Sequence, residues 1–182
     1  LLFTSLQDTG AKAIEGREAW LFYRPDVRCL VEPDHLELDS SDSKWVPPAD
    51  GSTHQDNVVR AIVRFRDQLK ARGIELLVMP VPGKPSVYPD KLTRRARGKV
   101  QEFRSPTLGL MDRLQHEGVM TVDLFAVFRQ ARAKSEPSGD SAGFYLARDT
   151  HWTPVGAKLA ARAVADRLRA LEWAPEPTRE FA

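Results

Sequence analysis

The stretch "DNVVRAIVRFRDQLKARGIELLVMPVP", residues 56–82, decides the fold class. Val58, Ile62, Phe65 and Leu69 recur at i, i+4, i+7 and i+11, the spacing that lines apolar side chains along one helix face. Gly73 then supplies a residue that tolerates the left-handed backbone at which helices end. From Ile74 to Met79 the chain is almost continuously apolar. A half-exposed strand would alternate instead, so this run reads as a strand of a parallel sheet covered on both faces. Pro80 and Pro82 end it, because proline has no N–H to give a ladder.

The unit returns in "SPTLGLMDRLQHEGVMTVDL", residues 105–124. Ser105 suits a helix cap, Pro106 the first helical position, and Leu108, Met111 and Leu114 form an apolar stripe. Gly118 closes that helix, and Val119 to Leu124 reads as a second parallel strand. A helix over "DLFAVFRQARAK", a loop "SEPSGDSAG" and a short strand "FYLA" (144–147) follow. Thr153 and Pro154 open a last helix whose Val155, Leu159, Ala163 and Leu168 are expected to face inward. Helices alternating with buried strands predict an α/β fold, a three-layer domain around a parallel sheet. Ligands in such sheets bind beyond the carboxyl ends of the strands.

Upstream, "EGREAWLFYRPDVRCLV" (15–31) predicts a glycine turn followed by one or two aromatic-rich strands. Residues 32–51 are polar, acidic and proline-containing, and read as a long loop inside a single domain over 1–182. With 27 basic and 25 acidic residues the net charge is only +2, which argues against a dedicated nucleic-acid binder. The run 91–104 still gathers Lys91, Arg94, Arg95, Arg97, Lys99 and Arg104. It reads as a solvated face, with contact to an acidic polymer as the functional alternative. Cys29 is the single cysteine, which rules out an intrachain disulfide and leaves the redox compartment open. No apolar run is long enough to span a bilayer. No signal peptide is present, and the chain begins at Leu1, so a fragment or processed product is expected.

Chemistry concentrates in "RDTHWTPVGAKLAA", residues 148–161. In an extended segment Asp149 and His151, two residues apart, point to the same side. A carboxylate there accepts the Nδ1 proton, fixes the tautomer and leaves Nε2 free to take a proton from a hydroxyl. The alternative is a buried histidine satisfied by a neighbouring aspartate, with no chemistry. A metal site is disfavoured, since His35, His54 and His116 lie in poor contexts for ligation, and no cofactor is implied. Lys84 and Tyr88 in "PGKPSVYP" follow a strand's carboxyl end and could contact substrate, or could simply be a solvated lysine and a packed tyrosine of a Pro-rich turn. Trp20 and Phe22 read as core and not as a sugar-stacking platform.

Three segments together, "GREAWLFYRPDV" (16–27), "LLVMPVPGKPSVYPDKL" (76–92) and "DTHWTPVGAKLAA" (149–161), resemble the alginate O-acetyltransferase AlgX/AlgJ family. The resemblance implies an SGNH-hydrolase-like, flavodoxin-like domain, incomplete at its C-terminus. It implies O-acetyltransferase or acetylesterase chemistry on a bacterial exopolysaccharide, typically in the periplasm. Asp149 would orient His151, the general base of a Ser–His–Asp triad, and Lys84 and Tyr88 are markers of the family. The implied partners are the polysaccharide, an acetyl donor that is a protein or small molecule, and other exopolysaccharide-machinery proteins. The family's serine follows the Asp-x-His block by many residues, in a Gly-x-Ser turn after an apolar strand. It is therefore expected beyond Ala182. Ser141 in "SGDSAG" is the local alternative, but it follows a charged, proline-broken stretch and not a buried strand. The competing reading from another class is a non-catalytic scaffold or polysaccharide-binding relative in a biosynthesis or secretion complex.

Overall fold

A computed structural model describes residues 12–31, 54–98, 105–134 and 143–173. The fold is α/β. A hairpin opens it, with β1 (Ala13–Glu15) antiparallel to β2 (Leu21–Tyr23) and Ile14 opposite Phe22. The expected second aromatic strand is instead helix α1 (Arg24–Val31). Pro25 and Asp26 in its first turn favour a helix start, through a preset φ and a carboxylate at the positive end of the dipole.

Helix α2 (His54–Lys70) leads to β3 (Leu77–Val78), and α5 (Pro106–His116) leads to β4 (Met120–Thr121). Between these units lie single turns α3 (Lys84–Val87) and α4 (Pro89–Leu92), and a 3-10 turn at Arg94–Ala96. Helices α6 (Leu124–Lys134) and α7 (Pro154–Ala170) complete the described elements. Gly73 and Gly118 end the two helix–strand units at φ +73° and +74°, as the repeat predicts. Strands β3 and β4 pair in parallel, Leu77 with Met120 and Val78 with Thr121. Both are shorter than the apolar runs that contain them. Pro80 cannot extend the ladder, and Ile74 is half exposed at the other end.

Side-chain alternation along β3 divides the interior. Val78 packs with Val59, Ile62 and Val63 of α2 and Leu114 of α5. Leu77 packs with Val122, Leu124 and Phe128, and with Leu159 and Ala163 of α7. The inward ridge of α2 differs from the expected one. Val59 is buried, whereas Phe65 is 52% exposed. Ile62 of the expected ridge still packs inward beside Val59 and Val63, and Arg66 donates to the Glu117 carbonyl at the end of α5. In α7 Val155 points outward, because Gly156 and Ala160 occupy the buried line.

Candidate functional site

Residues 144–153 fold back on themselves. Tyr145 bridges Trp152 in antiparallel fashion, Leu146 N–H donates to the His151 carbonyl at 3.0 Å, and Thr153 N–H donates to the Phe144 carbonyl at 3.0 Å. The expected "FYLA" strand is thus the first arm of a tight loop, which carries Asp149 and His151 at its tip. The pair does not rely on extended alternation. Asp149 Oδ1 lies 2.6 Å from His151 Nδ1 and accepts the His151 main-chain N–H at 3.0 Å. A short carboxylate bonding to backbone two residues on is the Asx-turn habit of aspartate.

The imidazole side chain is 82% exposed and the carboxylate 51%. With Nδ1 committed to Asp149, Nε2 is the ring nitrogen open to solvent. Hydrogen bonds from the His151 ring and main chain hold the Asp149 carboxyl down at about 2. The carboxylate therefore stays charged, and stays a Nδ1 partner, throughout the ordinary pH range.

Behind the loop, side chains of the scaffold tie both of its arms down. Tyr145 OH donates to the Pro82 carbonyl, and burial pushes its phenol up to about 12. Phe128 meets Phe144 edge-on at 5.6 Å and Trp152 at 5.6 Å, so α6 clamps both arms of the loop. Thr153 caps α7 by accepting Gly156 N–H at 3.2 Å while its hydroxyl donates to the Gly143 carbonyl at 2.6 Å. Gly156 is obligatory here: a Cβ would lie 2.1 Å from the Phe144 carbonyl oxygen.

Lys84 and Tyr88 are inside and not at a cleft wall. Lys84 is 1% exposed, and its Nζ donates to the carbonyls of Leu21 (2.6 Å), Leu146 (2.7 Å), Ala147 (2.7 Å) and Asp149 (3.1 Å). The ring centroids of Trp20 and Phe22 lie 4.8 and 5.1 Å from the ammonium. Burial lowers its pKa to about 8, opposed by the Asp149 charge. Tyr88 OH accepts the Phe144 N–H at 2.8 Å, and Arg132 stacks on its ring. Lys84 thus spends its donors on the protein itself, and Tyr88 is buried with its oxygen accepting from the Phe144 main chain. Trp20 is half buried against Tyr88 and Phe22 is 1% exposed, in line with a core role.

Sequence reasoning missed Arg132, whose guanidinium donates to the Val87 carbonyl and pairs with Asp90 at 2.6 Å. It ties α6 to the α3–α4 turn, and nothing in the local pattern of α6 distinguishes it from Arg129. Lys91 of the basic run pairs with Glu18, while Arg94, Arg95 and Arg97 are exposed. Lys99, Arg104, Ser141 and His35 lie outside the described residues, as does the 32–51 segment. Cys29 is half buried, and burial together with Asp26 raises its thiol pKa, so it is a poor nucleophile. Among the described residues no three His, Cys, Asp or Glu side chains cluster as a metal site would require. No helix among them is long and apolar enough to cross a membrane.

Residues 13–182 match the family described as "SGNH hydrolase-like domain, acetyltransferase AlgX". The probable alginate O-acetylase AlgJ of Pseudomonas aeruginosa is 24% identical over 181 residues, 98% of this chain and 39% of that protein. The alginate biosynthesis protein AlgX of Pseudomonas fluorescens is 31% identical over 123 residues, 65% of this chain and 24% of that protein. The chain therefore spans well under half the length of these relatives. In fold it is similar to the O-acetyltransferase domain of Pseudomonas putida AlgJ, with a TM-score of 0.60 at 23% identity, covering 91% of this chain and 50% of that one.

Proposed function

We propose, from the premise that this chain belongs to the AlgX SGNH hydrolase-like acetyltransferase family, that it carries the base half of an acetyl-transfer site acting on a bacterial exopolysaccharide. The observation that carries the reading is the 2.6 Å contact between Asp149 Oδ1 and Nδ1 of a histidine whose ring is open to solvent. The relatives' names, alginate O-acetylase and alginate biosynthesis protein, support the substrate class, and a cell-envelope location goes with that reading. The short β3–β4 pair, with α2 and α5 on one side and α6 and α7 on the other, fits a piece of a larger three-layer parallel sheet. The Asp149–His151 loop would then lie at its ligand-binding edge.

His151 Nε2 takes the proton of a serine hydroxyl as its oxygen attacks the acetyl carbonyl of the donor. Asp149 stabilises the imidazolium, and the proton then passes to the departing donor group. A sugar hydroxyl repeats the sequence in the second half: it gives its proton to Nε2, forms the new ester and releases the serine. The described serines do not supply the nucleophile. Ser86 and Ser105 are buried, and Ser105 caps α5. The reading places it outside the described residues.

The test is acetyl-ester hydrolysis and acetyl transfer to polysaccharide by the intact protein against its His151→Ala variant. Loss of about 10⁶-fold in kcat is expected, the usual cost of removing the histidine of such a triad. Equal rates would exclude His151 as the base.

A further inference from the structure

Lys84 is a buried cation with no carboxylate bonded to it. A lysine so placed is costly unless its protons are spoken for, and here four peptide carbonyls share the three. Three of those carbonyls belong to one short stretch, Leu146, Ala147 and Asp149, and the fourth belongs to Leu21 in β2. That stretch is also tied to His151, whose carbonyl accepts the Leu146 N–H at 3.0 Å. Its internal main-chain bond, from Asp149 N–H to the Leu146 carbonyl, is long at 3.4 Å. A second anchor, from Leu21 N–H to the Ala147 carbonyl at 2.8 Å, runs to the same strand that Lys84 grips. The ammonium thus fixes the peptide planes that follow Leu146, Ala147 and Asp149.

We infer that Lys84 is a positioning residue: its Nζ gathers the carbonyls of Leu21, Leu146, Ala147 and Asp149, and so holds the Asp149 carboxylate at His151 Nδ1. The inference deepens the reading of His151 as general base and rests on it for its functional meaning. Lys84 touches no reacting group. It acts by setting which nitrogen of His151 carries the proton, because free imidazole in water favours the proton on Nε2, the wrong tautomer for a base that must accept there. A compact tetrahedral ammonium suits converging carbonyls, whereas the planar fork of arginine does not.

The experiment reads the tautomer directly, by ¹⁵N chemical shifts of the His151 ring at a pH where it is neutral, with His151→Gln used for assignment. In the wild type the Nδ1–H form should dominate. In Lys84→Met, which keeps the apolar stem, the shifts should move toward the Nε2–H form, as they should in Asp149→Asn. A folded Lys84→Met protein with wild-type shifts would overturn the inference. Should that variant not fold, the wild type decides: raising the pH until Lys84 is neutral should cause the same drift while circular dichroism is unchanged, and constant shifts would overturn the inference equally. In acetyl transfer, Lys84→Met should lower kcat about tenfold with KM unchanged. Failure of the general-base reading is separable, since it would leave the shifts as expected and the activity of His151→Gln intact.

Discussion

Asp149 Oδ1 meets His151 twice, the ring Nδ1 at 2.6 Å and the main-chain N–H at 3.0 Å. One bond sets the turn and the other sets the ring, so local backbone and side-chain geometry are decided by a single oxygen. Asp149→Asn keeps the shape and offers only a neutral acceptor to Nδ1. Activity of the intact protein should fall by about 10³- to 10⁴-fold, with thermal stability close to wild type.

The same oxygen predicts a pH dependence. The folded pKa of Asp149 is lowered to about 2 from an ordinary 3.8. Its contribution to stability is therefore present above pH 3.8 and is lost as the pH falls through about 2. Carboxyl ¹³C titration should show the low midpoint in wild type and a return toward the ordinary value in His151→Ala.

Tyr88→Phe removes the hydroxyl that accepts the buried Phe144 N–H. An unsatisfied buried donor costs about 1–3 kcal/mol, which urea denaturation should detect. Hydrogen exchange at the Phe144 amide should accelerate in the same variant, because that bond anchors the first arm of the site loop.

Gly156→Ala sets two effects against each other. Helix propensity favours alanine by about 1 kcal/mol. A Cβ placed 2.1 Å from the Phe144 carbonyl oxygen forces backbone apart, and overpacking of that kind costs about 1–3 kcal/mol. Backbone cannot yield as a flexible side chain does, so the variant should be less stable in urea, and the Thr153 cap should loosen with it.

Arg132 and Asp90 are each 19% exposed in their side chains, 2.6 Å apart, and join α6 to the α3–α4 turn. Arg132→Met also gives up the Val87 carbonyl and the Tyr88 ring. Destabilisation of about 2–4 kcal/mol is expected, short of the full cost of breaking a fully buried pair. A double-mutant cycle with Asp90→Asn should return a coupling of about 1 kcal/mol or more, above that of an exposed pair.

Local signals carried the helix–glycine–strand units, since Gly73 and Gly118 need only their own backbone angles to end a helix. They also made the closeness of Asp149 and His151 legible, since residues two apart are neighbours in any fold, although the grip of Lys84 on the loop carbonyls was not. Amphipathic spacing was a weaker guide. It could not tell that Val59 would be buried and Phe65 left half exposed, because burial depends on what α5 covers, and the cluster there takes in Val59, Ile62 and Val63.

The sequence by itself determined the α/β alternation, the helix ends and the aspartate–histidine pair, all products of short-range sterics, periodicity and turn chemistry. Only the tertiary structure decided what Lys84, Tyr88, Arg132 and Gly156 do. Their partners lie between 12 and 65 residues away, at Phe144, Val87, Asp90, Leu21 and the 146–149 loop. A polar group's role depends on which acceptors surround it once water is gone, and that is settled by packing, not by neighbours in the chain.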